Sequence, residues 1–385
     1  MAYIGEEVKD KNRLEIYRLI ADRREISRSE ISRVTGISSP TVNKVIAYLQ
    51  ELGVVYLEGK ENISIGRKPV IVRYNSEAAY VVVVRYAKSK VCNLDFVDLS
   101  GTCRATKKII NPHTFVDFIR TDLQSYLLQA FEEFQIHPKS VLGCCIVMPG
   151  IIADDKGTVL YAPGLEITDS VDLRPDFDRI SANTGVDISV ENDVNLAAYG
   201  EYQYRKKAEH IQDMVYLECS RGCGAGIILN GKLRKGEFYQ AGEFGYMTRT
   251  LSNGINRWDQ VGDEERRLAV KGDLLNGSTA EALFSGALHL TLEQTTALIQ
   301  DFAEEIAWTI VNGNVFLDVD CYVIGGEIAA CFGDRIAMEV NRRLHQATPF
   351  KVHCELSKCK DAVIKGAMSM IEENKIGDVL KEEKA

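Results

Sequence analysis

The spacing of apolar residues changes character near residue 75. Before that point it is helical. Leu14, Tyr17 and Ala21 share one face of a stretch from about Val8 to Arg24. A second stretch opens on Ser27-Arg28-Ser29-Glu30, a capping-box pattern, presents Ile31 and Val34, and stops at Gly36. A third opens at Ser38 or Ser39 with Pro40 in its first turn, carries Val42, Val45, Ile46 and Leu49 as its apolar stripe, and ends at Gly53. Two short helices joined by the tight turn Gly36-Ile37-Ser38 form a helix-turn-helix pattern. Val54–Leu57 and Val70–Tyr74 then read as two strands around the polar loop EGKENISIGRKP, a β-wing.

Beyond residue 75, apolar runs alternate with amphipathic ones. Tyr80–Val84 is a continuous β-branched run of the kind found in buried strands, followed by a strand over Val91–Asp98 and a turn at Ser100-Gly101. Phe115–Phe134 predicts one amphipathic helix, and Val141–Val147 a buried strand ending at Pro149-Gly150. Ile188–Asn192 predicts a strand that delivers Asn192 and Asp193 to a helix beginning near Asn195. Met214–Leu217, a turn containing Gly222, Gly224 and Gly226, and Ile227–Leu229 read as strand, turn, strand, with Asn230-Gly231 as a hairpin turn. Leu292–Phe316 predicts a long helix before the strand that ends in Gly325-Gly326. From Lys365 a last helix is expected to fold back on the first lobe and end in a solvated charged tail. The class is α/β.

Charge adds a division of labour. Residues 1–75 hold 13 basic and 10 acidic side chains, a net +3, against −9 for the whole 385-residue chain. A mildly basic head on an acidic body fits a nucleic-acid-binding segment joined to something else, although a solvated helical face gives the same balance. No apolar run reaches the roughly 18 residues of a membrane span, and the N-terminus lacks a signal-peptide pattern. Ten scattered cysteines without a CxxC pair read as reduced thiols in a cytoplasmic protein.

The start of the third helix is the end that enters a major groove in helix-turn-helix proteins. It offers Ser38, Ser39, Thr41 and Asn43 to base edges and Lys44 to a phosphate. Gly66, Arg67, Lys68 and Pro69 form a cationic element suited to an A·T-rich minor groove. The alternative is a plain three-helix bundle with a solvated basic turn. In the body, an Asp at a strand end beside a helix N-terminus suits proton abstraction or hydroxyl binding, and the three glycines permit close approach to a phosphate or are structural.

Taken in order, the winged helix with Gly66-Arg67-Lys68-Pro69, Met148-Pro149-Gly150, Glu191–Asn195, Gly222–Gly226, Ala241–Met247, Val323–Gly326 and Lys365-Gly366-Ala367 resemble the ROK family over nearly the whole chain. The likeness is to its winged-helix repressor branch, the xylose and N-acetylglucosamine repressor type. It implies a winged helix-turn-helix over residues 1–75 followed by two actin-like (ribonuclease-H-like) lobes, 76–192 plus 366–385 and 193–365, around a sugar cleft. It also implies a double-stranded DNA operator, a sugar or sugar-derived small-molecule effector, a homodimer or homotetramer, and no membrane partner.

Departures from the family pattern matter as much. Where kinase members carry Asp-x-Gly for Mg²⁺ and ATP phosphates, this chain has Arg85-Tyr86-Ala87, and the Gly-Thr-Gly phosphate turn reads Ser220-Arg221-Gly222. An arginine adds a cation where one must be bound. The resemblance therefore points to a regulator and not an enzyme, with no catalytic residue and no cofactor. The family's zinc-site His is Tyr246 here, and residues 247–290 contain no cysteine, so no metal is expected. Asn192, Asp193, Glu243 and Tyr246 are the expected ligand-binding residues, with Asp193 as a cap and Glu243 as half of an ion pair the bland competitor. Arg85 and Arg221 are candidates for an anionic sugar, unless paired internally with Asp193. A sugar kinase, and a DNA-binding protein whose degenerate body only oligomerises, are the two rival readings.

Overall fold

A computed structural model describes residues 2–58, 70–86, 91–110, 113–153, 157–220, 222–247, 284 and 290–381. Gly66, Arg67, Lys68, Pro69, Ala87 and Arg221 lie outside the described residues, as does the charged tail from residue 382.

The head is built from helices α1 (Ala2–Arg23), α2 (Arg28–Thr35) and α3 (Ser39–Glu51) and strands β1 (Glu25–Ser27), β2 (Val55–Glu58) and β3 (Ile71–Tyr74). Helix α2 starts where the sequence places it, with the Ser27 hydroxyl accepting the Glu30 amide, and stops at Gly36 in the left-handed conformation. The capping box is only half formed, because the Glu30 carboxylate turns to Arg33. All four stripe residues of α3 are buried. Val34 is exposed, so α2 buries Ile31 alone. The two wing strands pair antiparallel, and β1, absent from the sequence reading, adds to the free side of β3.

Two five-stranded sheets make the body. The first contains β4 (Tyr80–Tyr86), β5 (Val91–Asp98), β6 (Cys103–Ile110), β7 (Val141–Met148) and β11 (Ile188–Asn192), in the order β11-β7-β4-β5-β6. Strands β8 (Ile151–Ile152), β9 (Thr158–Tyr161) and β10 (Val171–Asp172) form a small side sheet. The second large sheet contains β12 (Met214–Cys219), β13 (Cys223–Leu229), β14 (Lys232–Leu233), β15 (Cys321–Gly325) and β16 (His353–Leu356), in the order β14-β13-β12-β15-β16. In each sheet the first three strands run as an antiparallel meander and the last two add parallel to the first. One topology is thus used twice, as the two-lobed reading requires.

The helix expected over Phe115–Phe134 is not uniform: α4 comprises Phe115–Asp117, a π turn at Phe118–Asp122, and Leu123–Glu133. With α5 (Arg174–Thr184) it covers the outer face of the first sheet. Helices α7 (Leu292–Leu317), α8 (Gly326–Phe332) and α9 (Asp334–Ala347) cover the outer face of the second.

Between the sheets lie α6 (Asp193–Glu209) and α10 (Ala362–Lys381). These two helices cross at glycines. A Cβ on Gly200 would sit 2.0 Å from the Ala362 carbonyl oxygen, and one on Gly366 would sit 1.9 Å from that of Leu196. Helix α10 does more than fold back on the first lobe. Its far end enters the head: Ile376 and Leu380 belong to the head's own core, and the Leu380 carbonyl accepts from Arg13 Nη1 (2.9 Å) and the Tyr48 hydroxyl (3.1 Å).

Candidate functional site

In the head, α3 turns one side to the core and the other to solvent. Ser38, Ser39, Asn43 and Lys44 are exposed on that outer side and Thr41 is half-buried beside them. Five of the nine residues expected to meet DNA, those at the start of α3, are therefore accessible together, while the other four, Gly66–Pro69, lie outside the described residues. Ser38 is the N-cap residue by conformation, but its hydroxyl bonds the Thr41 hydroxyl (2.9 Å) and not a helix amide. Asn43 Oδ1 accepts from Arg28 Nη1 of α2 at 3.4 Å, a neighbour the sequence reading did not name.

The second region is the cleft between the lobes. A cavity of 750 Å³ is lined by Asn192, Asp193, Glu243 and Tyr246, the four residues expected to bind ligand. A second cavity of 580 Å³ adjoins it, and both are lined by Tyr86, Pro149, Asp193 and Glu218. Asp193 thus stands at their boundary.

The floor of the larger cavity is a hydrogen-bonded strand-to-helix junction. Asn192 caps α6: its Oδ1 accepts the Asn195 amide (2.9 Å) and its Nδ2 donates to the Gly150 carbonyl (2.9 Å). The helix therefore begins at Asp193, two residues before the expected start, because the cap is Asn192. Asp193 Oδ1 accepts the Val194 amide (2.9 Å). Beneath them the buried Glu191 carboxylate accepts the Asn192 amide (2.9 Å) and Asn195 Nδ2 (3.2 Å), and its other oxygen accepts Lys235 Nζ from the opposite lobe (2.6 Å). Glu191 and Lys235 thus bridge the lobes at the cleft, a role the sequence reading did not assign. Glu191 was visible as a charged residue closing a β-branched strand; nothing local marks Lys235.

Glu218 was also missed. It is a carboxylate at the end of the apolar strand β12, and it accepts from the Ser220 hydroxyl (2.6 Å) and the Tyr216 hydroxyl (3.3 Å). Burial raises its pKa, and the nearby Asp193 and Glu327 carboxylates add to that, against the lowering effect of its hydrogen bonds. Ser220 also accepts the Glu327 amide (2.9 Å), tying the Gly325-Gly326 turn to this strand end.

Arg85 lines the smaller cavity, but its Nε donates to Asp95 Oδ2 at 2.6 Å. Asp95 is buried and also accepts the Thr106 hydroxyl (2.7 Å). The internal partner of Arg85 is therefore Asp95 on the neighbouring strand, not Asp193. Among the described residues no group of three or more His, Cys, Asp or Glu is placed to hold a metal ion, and no helix is long and apolar enough to cross a membrane.

Known proteins resemble both parts of the chain. The ROK family model matches residues 90–264, and a model of winged helix-turn-helix DNA-binding domains matches residues 9–56. The xylose repressor of Caldicellulosiruptor bescii is 24% identical over 94% of this chain and 96% of its own. A solved ROK family transcriptional regulator, a homologue of the E. coli MLC protein, superposes with a TM-score of 0.72 at 20% identity, over 97% of this chain and 98% of its own. A ROK family glucokinase from Streptomyces griseus, solved with glucose and AMPPNP, superposes with a TM-score of 0.58 at 20% identity, over 77% of this chain and 100% of its own.

Proposed function

We propose that this chain, whose residues 90–264 match the ROK family model and whose residues 9–56 match a winged helix-turn-helix DNA-binding model, is a cytoplasmic, sequence-specific transcriptional repressor controlled by a sugar bound between its lobes. The observation that carries the reading is the pairing, in one chain, of an accessible face on α3 with an interlobe cavity lined by Asn192, Asp193 and Glu243. Ser38, Ser39, Thr41 and Asn43 meet base edges and Lys44 a phosphate, with Gly66–Pro69 supplying a minor-groove contact. A homodimer places two such heads on a palindromic operator.

The ligand is a neutral carbohydrate held by Asn192, Asp193, Glu243 and Tyr246. Arg85, committed to Asp95, is poorly placed to receive a phosphate. The repressor-named relative favours a regulator over a kinase. Arg85, Ala87 and Arg221 support the same choice, since they replace the metal- and phosphate-binding elements of kinase members. Asp193 without a positioned phosphate has no phosphoryl group to direct a hydroxyl against.

A thermal-shift screen of the full chain tests this reading. A ligand that binds only the native state raises the melting temperature by mass action. Xylose or another neutral monosaccharide is expected to do so, and Asp193→Asn to abolish the shift. A shift with ATP–Mg²⁺ and with no sugar would return the kinase reading.

A further inference from the structure

Cys219 and Cys223 stand directly opposite each other on the last rung of the β12–β13 ladder before its turn. They are the one cysteine–cysteine pairing among the described register partners. Directly opposed residues point to the same face of a sheet, and here Cys219 belongs to the second lobe's outer core while Cys223 packs against it. Opposed Cα atoms in an antiparallel pair are about 4.5–5.5 Å apart, within the roughly 4.4–6.8 Å a disulfide spans. The two thiols also differ in access. Cys219 is fully enclosed, whereas Cys223 is half-buried and lines the larger interlobe cavity.

We infer that Cys219 and Cys223 form a reversible disulfide site in the wall of the ligand cleft, closed by a low-molecular-weight disulfide oxidant. The accessible Cys223 loses its proton and attacks one sulfur of the oxidant, expelling a small thiolate and leaving a mixed disulfide. Cys219 then loses its proton and attacks the Cys223 sulfur, expelling the second small thiolate. Two protein thiols are oxidised by two electrons, the oxidant is reduced to two thiols, and the two released protons balance the charge. The ring tethers the strand ends that flank Gly222, and Gly222 lines the cavity together with Gly224, the residue after Cys223. Enclosed thiols such as Cys144 and Cys354, held well above their ordinary pKa by burial, lack the access for the first step. Exposed Cys103 and Cys331 lack an opposed cysteine for the second.

The full chain, equilibrated in reduced and oxidised glutathione buffers, trapped with N-ethylmaleimide in acid denaturant and digested with trypsin, gives the test. Trypsin cuts after Arg221, between the two cysteines, so the disulfide appears as a covalent pair of peptides 208–221 and 222–232. The pair is expected to rise at least tenfold in oxidised buffer and to vanish when reduced glutathione is restored. Cys219→Ser is expected to stop at a glutathione adduct on Cys223, and Cys223→Ser to leave Cys219 as a thiol. Recovery of both wild-type peptides unlinked, in a buffer that adds glutathione to Cys103, would overturn the inference. So would linkage of Cys223 to any other cysteine.

Discussion

Glu355 shows how single charges are arranged in the interior. Arg205 is fully buried and donates to Glu201 (2.6 Å), Glu209 (3.1 Å) and Glu355 (2.8 Å), fastening α6 to β16. Burial works against ionisation of Glu355, but hydrogen bonds from Lys358 and Arg205 outweigh it and bring its pKa down to about 2. A carboxyl whose folded pKa lies below its unfolded value stabilises the fold above the unfolded pKa and loses that contribution as pH falls through the folded one. Urea midpoints should therefore separate wild type from Glu355→Gln fully above pH 4.5, with the gap closing towards pH 2. On the DNA face, Asn43→Ala should cost about 1–3 kcal/mol at one base pair and little elsewhere. Lys44→Ala should weaken binding evenly across sequences and lower the salt slope by about 1. Binding isotherms on single-base operator variants at several salt concentrations distinguish the two. At this scale, residues whose role is set by their own helix or strand were legible in the sequence: the α3 stripe, Gly36, and the Asn192-Asp193 junction. Residues defined by a partner far along the chain were not. Arg85 reads as an anion-binding cation or a partner of Asp193 until Asp95 is placed across β4–β5, and Lys235 has no local mark at all.

Among the elements, α10 has the widest reach. Its first turn borders the smaller cavity through Ala362, Val363 and Ile364, while its last turns are buried in the head. The Tyr17 hydroxyl donates to Glu372 on the same helix (2.7 Å). Replacing Gly366 with alanine puts a methyl into the α6 backbone, so Gly366→Ala should destabilise the fold by about 1–3 kcal/mol, typical of overpacking; denaturant melts of the full chain would read this. The final helix itself was foreseeable from composition. Its docking into the head was not, because the contacts join residues 13 and 48 to residue 380 and leave no periodicity in either segment. The same holds for β1, three residues that become a strand only because β3 offers an edge.

At the scale of the whole molecule, the head and the cleft are physically continuous through α10, and the two lobes touch across Glu191 and Lys235. On the proposed function, a ligand that binds one lobe arrangement better than the other shifts the placement of the heads, and by linkage the operator shifts ligand affinity equally. The two-lobed class was legible from the alternation of strands and helices together with the family resemblance; the duplicated strand order emerged only from the pairing. The most direct test is to titrate the full chain, by fluorescence anisotropy, onto the duplex it selects from a random library, with and without xylose, other neutral monosaccharides and sugar phosphates. One neutral sugar is predicted to weaken operator binding by about tenfold, or about 1.4 kcal/mol of coupling, and Asp193→Asn to remove that response while leaving sugar-free affinity unchanged. Failure to select any duplex, or equal affinity with every sugar, would contradict the account.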